Sequence, residues 1–186
     1  MRITEIFSSL QGEGKYTGYP TTFIRFAGCP FNCKFCDTEY SKQAGKKMTI
    51  ERVMHEVNKL GNSYVCITGG EPLLQTDLEP LVYELLSYSY IVTIETSGLV
   101  PIESCEYNRT YTYCMDIKCP CSGEQDKNCL ENLKILKDKD EVKCVIQDSK
   151  DIEYIRNILK KYPTKAQVIL SPINNDLDVC NLIINA

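Results

Sequence analysis

Three cysteines, Cys29, Cys33 and Cys36, have the spacing C-x3-C-x2-C. Three thiolates on one short loop can bind three irons of a cubane iron–sulfur cluster, which ordinarily takes four cysteines. The missing fourth thiolate leaves one iron open to a small molecule, so the spacing favours catalysis over electron storage. A structural zinc site is the alternative, but zinc usually needs four protein ligands, and no second C-x2-C pair lies at finger or ribbon distance.

Composition limits the class of protein. With 186 residues the chain can form one substantial core, so we expect a single domain over residues 1–186. The net charge of −4, without a long basic run, favours neither nucleic acid nor a membrane as partner. The first residues lack the apolar core of a signal peptide, and no apolar run reaches the roughly 18 residues of a membrane span. We therefore expect a cytoplasmic protein whose eleven cysteines are reduced thiols.

Strand and helix patterns alternate along the chain. Apolar residues at helical spacing begin at Ile50, at Leu78 and at Ile152, and Asp77 or Thr76 is a candidate cap for the second of these helices. The β-rich runs are residues 21–26, 64–68, 91–95, 111–117, 142–147 and 167–170. Alternation predicts an α/β fold with a parallel sheet and outer helices, and six strands predict an incomplete TIM-like barrel. Chemistry in such folds gathers at the carboxyl ends of the strands.

Two further motifs accompany the cysteines. Gly69 and Gly70 begin a Gly-Gly-Glu-Pro turn after the second predicted strand, and glycine lets the backbone pass close to a ligand. A simple turn before a helix is the alternative. The second motif is Gln-Gly-Glu-Gly at residues 11–14, which precedes the cysteines and otherwise has the composition of a polar turn.

The cysteine spacing and the Gly-Gly-Glu-Pro turn resemble radical S-adenosylmethionine (SAM) enzymes. In that family the methionyl amine and carboxylate of SAM chelate the open iron, and reductive cleavage of SAM gives a 5′-deoxyadenosyl radical. Residues 11–14, Arg25, the Cys36-Asp37-Thr38 run and residues 95–98 and 115–120 resemble the 7-carboxy-7-deazaguanine synthase family. The resemblance covers roughly residues 1–172. The chain ends inside an apparent amphipathic helix, so we expect the family's last C-terminal strand to be missing.

The resemblance implies a function. That family converts 6-carboxy-5,6,7,8-tetrahydropterin to 7-carboxy-7-deazaguanine with loss of ammonia, a lyase step in queuosine and archaeosine biosynthesis. It implies a 4Fe–4S cluster, SAM and Mg2+ as cofactors, an external one-electron reductant of the flavodoxin or ferredoxin type, and a homodimer.

Substrate contacts can be assigned by chemistry and by the resemblance together. A pterin presents two adjacent donors, N3–H and the 2-amino group, and the Glu95 carboxylate could accept both, unless it forms a salt bridge instead. Arg25 could grip the substrate carboxylate with two nitrogens, unless it pairs with Glu13 or Asp37. The remaining candidates are the main chain of residues 10–12, that is Leu10, Gln11 and Gly12, and the side chain of Thr68.

Metal and SAM contacts follow mostly from the resemblance. A hydroxyl from Thr38 together with the substrate carboxylate suits magnesium, which prefers oxygen ligands, although Thr38 could simply end the cysteine loop. The SAM candidates are Phe35, Cys36, Asp37, Gly70, Asp116, Ile117, Lys118 and Lys143, with Ser171 a weaker one. A charge pair without any ligand would also explain the lysines.

The remaining histidine and cysteines give no clear sign of function. His55 lies opposite the apolar face of its helix and is expected to face solvent. Cys119, Cys121 and Cys129 do not have a recognised cluster spacing. Two rival functions share the cysteine motif: an activase that installs a glycyl radical on a partner protein, and a non-enzymatic metal-binding module. The Gln-Gly-Glu-Gly run with Thr38 disfavours the activase, and an iron and sulfide assay would test the module.

Overall fold

A computed structural model describes residues 1–43, 45–102 and 111–186. The described strands are β1 (Arg2–Leu10), β2 (Pro20–Phe26), β3 (Lys46–Lys47), β4 (Tyr64–Gly69), β5 (Ile91–Thr96), β6 (Tyr111–Ile117), β7 (Glu141–Ile146) and β8 (Gln167–Pro172). The described helices are α1 (Ile50–Leu60), α2 (Leu78–Ser87), α3 (Asn132–Ile135), α4 (Ser149–Lys161) and α5 (Leu177–Ile184). None of these helices is long and apolar enough to cross a bilayer.

The chain divides into two compact units. The first comprises Met1–Pro30, Asp37–Thr96 and residues 111–113, and the second comprises Phe31–Cys36, residues 97–102 and Cys114–Ala186. In the first unit the strand order is β3-β1-β2-β4-β5. Strands β2, β4 and β5 are parallel, and β1 is antiparallel to both of its neighbours, β3 and β2. In the second unit β6, β7 and β8 pair in parallel. The six predicted strands are β2 and β4 to β8, which confirms the α/β class with a mostly parallel sheet.

Strand β1 has no counterpart among the predicted strands. It pairs with β2 from Ile3 to Leu10, but the register shifts between Ile3 and Glu5. A bulge adds one residue and breaks the two-residue alternation that identifies a strand in a sequence.

The helices follow their end signals. Thr49 caps α1 by accepting a hydrogen bond from the Arg52 amide, and Gly61 ends that helix in the left-handed region. Asp148 caps α4 in the same way. Asp77 occupies the N-cap position of α2, as predicted, but makes no side-chain capping bond. His55 is exposed on α1, which confirms its predicted orientation.

A buried amide organises the loop after β5 in the second unit. The Asn132 side chain is fully buried and accepts from the Ile102 amide at 2.8 Å. Its Nδ2 donates to the carbonyls of Gly98 and Val100 at 3.1 and 2.9 Å. One buried side chain thus makes hydrogen bonds to three backbone groups of this loop.

Candidate active site

A row of polar side chains crosses four strands of the first unit. Glu5 on β1 lies opposite Arg25 on β2, and Arg25 lies opposite Thr68 on β4. Ile67 pairs with Ile94 on β5, so Glu95 follows beside Thr68. Directly paired residues project from the same face of a sheet, so register alone brings these four side chains together.

Glu95 accepts hydrogen bonds at both carboxylate oxygens. The Gln11 Nε2 donates to Oε1 at 3.2 Å and the Thr68 Oγ1 donates to Oε2 at 2.8 Å. Both donors are neutral. Glu95 forms no ion pair with any described residue, so the alternative of a salt bridge is not observed. A carboxylate has about four lone-pair positions, so two remain for a ligand.

The buried side chain of Gln11 has a fixed orientation. Its Oε1 accepts from the amides of Gly12 at 2.9 Å and Glu13 at 3.3 Å, so its NH2 group must face Glu95. Its backbone closes the following loop by hydrogen bonds with Gly18 and Tyr19. The sequence suggested only main-chain contacts from residues 10–12. The structure instead places the Gln11 side chain beside Glu95, whereas Leu10 and Gly12 are exposed.

Arg25 pairs with Glu5, a residue that no sequence motif marks. Its Nε donates to Glu5 Oε1 at 2.8 Å, and neither Glu13 nor Asp37, the partners considered from the sequence, forms that ion pair. Only the register of β1 against β2 reveals Glu5, and that register requires the bulge to be known. The Thr38 Oγ1 donates to Asp37 Oδ1 at 3.2 Å, which places two oxygens of the predicted magnesium region side by side.

The Gly-Gly-Glu-Pro turn packs against backbone. Gly69 has a φ of 110°, and a Cβ on Gly70 would overlap the carbonyl oxygen of Gly28. The turn is held by hydrogen bonds from the Gly70 amide to Phe26 and from the Glu71 amide to Gly28. The close approach predicted for the glycines is therefore met here by the chain's own backbone. Glu71 is fully buried and accepts from Thr96 Oγ1 at 2.6 Å.

In the second unit Asp116 lies between two lysines. Its Oδ2 accepts from Lys118 Nζ at 2.8 Å, and Lys143, its cross-strand neighbour, places Nζ 3.5 Å from Oδ1. Burial raises the pKa of Asp116, but the two lysine charges outweigh it and leave that pKa lowered. Oδ1 is buried and pairs with the Lys143 ammonium without a hydrogen bond. Ile117 is buried between the two charged positions.

The cysteine loop is anchored by hydrogen bonds. Cys29 belongs to the first unit and Cys33 and Cys36 belong to the second, and all three thiols are half-buried. Within the second unit the Lys34 amide donates to the Ser122 carbonyl at 3.2 Å, the Asn32 amide donates to Glu124 Oε1 at 2.9 Å, and the Cys36 amide donates to the Cys33 carbonyl at 3.3 Å. Phe35 is half-buried in this loop and Asp37 is exposed.

In the described part of the chain no three His, Cys, Asp or Glu side chains converge to hold one metal ion. A cubane binds each thiolate through a different iron, so its ligands need not converge on one point. A hydrogen bond to Cys144 and burial raise the pKa of Cys119, and burial raises the pKa of Cys121 to about 12. Both thiols are therefore protonated at neutral pH in the absence of a metal.

Comparison with known proteins identifies the family. The radical SAM superfamily model matches residues 23–116. A 7-carboxy-7-deazaguanine synthase from Methanospirillum hungatei is 44% identical over 174 residues, covering 93% of this chain and 73% of the relative. One from Koribacter versatilis is 42% identical over 177 residues, covering 92% and 77%. The crystal structure of QueE from Escherichia coli superposes with a TM-score of 0.77 at 26% identity, covering 99% of this chain and 89% of that one.

The fold and the motifs therefore define a radical SAM enzyme, with a 4Fe–4S cluster and SAM as its cofactors. Within that superfamily, the chain belongs to the 7-carboxy-7-deazaguanine synthase family.

Proposed function

We propose that this chain converts 6-carboxy-5,6,7,8-tetrahydropterin to 7-carboxy-7-deazaguanine with loss of ammonia, as a lyase of deazapurine biosynthesis. The observation that carries the proposal is the environment of Glu95. Its carboxylate is held by two neutral donors and retains two acceptor positions. Those positions suit the N3–H and 2-amino donors of a pterin, which form a bidentate pair with a carboxylate.

Arg25 and Thr38 would bind the acidic end of the same substrate. The Nη1 and Nη2 groups of Arg25 donate no hydrogen bond to any described residue, so both can grip a carboxylate. Magnesium would bind at Thr38 and share an oxygen of the substrate carboxylate, beside Asp37. Residues at both ends of the pterin would then hold its ring in one orientation, which is positional control of the reacting carbon.

Cys29, Cys33 and Cys36 would hold the cluster. When bound, the cluster and SAM supply the reductive radical chemistry that removes the hydrogen at C6 of the substrate. SAM would be held in part by Asp116, whose buried Oδ1 makes no hydrogen bond and could accept one from a ligand hydroxyl or amine. Lys118 and Lys143 would fix that carboxylate. Phe35, Cys36, Asp37, Gly70 and Ile117 remain further candidate SAM contacts. An external flavodoxin or ferredoxin, a homodimeric state and a cytoplasmic location are part of the same proposal.

The deciding experiment is anaerobic turnover of reconstituted protein with SAM, a one-electron reductant, Mg2+ and the carboxypterin. Mass analysis should find the deazapurine acid and ammonia, and Cys33→Ala protein should give neither. SAM cleavage without a deazapurine product would contradict the substrate, and full SAM cleavage by the Cys33→Ala protein would contradict the cluster site.

A further inference from the structure

Arg25 belongs to a hydrogen-bonded chain that reaches a 3-10 turn after the cysteine loop. The Arg25 Nε donates to Glu5 Oε1 at 2.8 Å, and the Tyr40 hydroxyl donates to the same oxygen at 2.7 Å. Tyr40 lies in the turn Glu39–Lys42, far from both strands in sequence. One carboxylate oxygen therefore joins the guanidinium to the aromatic ring.

The rings of Phe7 and Tyr40 also lie against the guanidinium. The Arg25 Cζ is 5.8 Å from the centre of the first ring and 5.9 Å from the centre of the second, within cation–π range. The hydrogen bond to Glu5 and partial burial raise the pKa of the Tyr40 hydroxyl in spite of the Arg25 charge, so the hydroxyl stays a donor at neutral pH. The Arg25 guanidinium is thus restrained by the hydrogen bond at Nε and by the two aromatic rings beside it.

These restraints select which edge of the guanidinium can bind a ligand. With Nε engaged by Glu5, the free edge is the one formed by Nη1 and Nη2. That edge presents two parallel donors, which match the two oxygens of a carboxylate. The Arg25 side chain is 15% exposed, so its free edge has little room to turn elsewhere.

We infer that Glu5 and Tyr40 are positioning residues that hold Arg25 for the substrate carboxylate. They thereby set the preference for pterins that carry a 6-carboxyl group over pterins that lack it. The inference rests on the proposed function, because it assigns the carboxylate partner of Arg25. It adds two residues to the site, on β1 and on the turn after Thr38, neither of which contacts the pterin ring.

The test compares two probes, 6-carboxypterin and unsubstituted pterin, by calorimetric titration of cluster-loaded protein with SAM. Glu5→Ala removes the acceptor and should weaken 6-carboxypterin binding about tenfold, the scale of one hydrogen bond to a charged group. Pterin affinity should stay within about twofold. Glu5→Gln keeps an acceptor oxygen and should recover most of the affinity. Tyr40→Phe should lose about threefold, since one of two restraints on Glu5 is removed.

A double-mutant cycle separates positioning from a general structural role. In an Arg25→Met background, Glu5→Ala should cost nothing further for either probe. Glu153→Gln, an exposed change on α4, is the matched control, and thermal melting checks that each variant is folded. Equal loss of both probes in Glu5→Ala protein, or a further tenfold loss in the Arg25→Met background, would overturn the inference. If wild-type protein does not prefer 6-carboxypterin, the proposed substrate fails as well, whereas intact preference in Glu5→Ala protein refutes only the positioning role.

Discussion

Replacing Glu95 by glutamine tests the pterin pair with almost no change of shape. Gln11 cannot turn its amide, because its Oε1 is occupied by the amides of Gly12 and Glu13. A glutamine at position 95 must therefore offer its oxygen to Gln11 and its NH2 group to Thr68. The Thr68 hydroxyl can turn and accept, so the protein side of the network survives.

The Glu95→Gln substitution therefore weakens mainly the binding of the substrate. One of the two pterin donors would face an NH2 group instead of a carboxylate oxygen. Breaking a buried hydrogen bond to a charged group and leaving its donor unsatisfied costs about 2–5 kcal/mol in total. The expected fall in kcat/KM for the carboxypterin is roughly 30-fold to roughly 5000-fold.

The assay is anaerobic turnover at several carboxypterin concentrations, with SAM affinity measured in parallel. SAM affinity and iron content should be unchanged, because the proposed ligands of SAM and the cluster are other residues. Glu153→Gln should behave like wild type. If Glu95→Gln protein keeps kcat/KM within about threefold of wild type, the pterin is held elsewhere and the reasoning from the Glu95 network is refuted.

Three further predictions concern the cluster, the magnesium site and the Asp116 ion pair. Cys33→Ala should abolish the cluster, measured as about four irons and four sulfides per wild-type chain, whereas Cys180→Ala should keep both. Thr38→Ala should weaken the stimulation of turnover by Mg2+ without changing iron content, if a hydroxyl oxygen is lost from the metal site. Because the pKa of Asp116 is lowered in the folded protein, its pairing with Lys118 stabilises the fold fully above the unfolded pKa of about 3.9, and this stabilisation is lost as pH falls from there through the lower pKa of the folded state. In melts between pH 7 and pH 3, wild-type protein should lose more stability than Asp116→Asn protein.

Each of these has a contrary result. Equal iron content in Cys33→Ala and wild-type protein would remove the cluster assignment. A Mg2+ response that is unchanged by Thr38→Ala would place the metal elsewhere. Parallel stability curves for wild type and Asp116→Asn would mean that the lysine pair contributes no net pH-dependent stability.

Local signals predict most of the fold. The six predicted strands and the helices beginning near Ile50, Leu78 and Ile152 follow from periodicity and capping residues. Strand β1 could not be predicted in this way, because the bulge between Ile3 and Glu5 interrupts the alternation by which a strand is recognised. The four-residue helix α3 is too short for a helical period to show, although its first residue, Asn132, anchors a loop.

The candidate site is predictable where chemistry is encoded locally and hidden where it depends on register. Arg25, Thr68 and Glu95 could be proposed from strand ends and from the resemblance, and they share one row. The partner of Arg25 could not be predicted, because Glu13 and Asp37 are nearer to Arg25 in sequence than Glu5 is. The role of the Gln11 side chain was hidden for the same reason, because its acceptor lies 84 residues away.

The row from Glu5 to Glu95 takes one residue from each of four strands, and the last of these strands lies far along the chain from the first. Such a row exists only after the long intervening loops have closed, so the binding site and the sheet form in the same event. Under the proposed function, carboxypterin binds the native state alone and adds about 2.7 kcal/mol to its stability at one hundred times Kd. The supply of substrate then governs how long each copy of the protein escapes unfolding and proteolysis, as well as how fast it works.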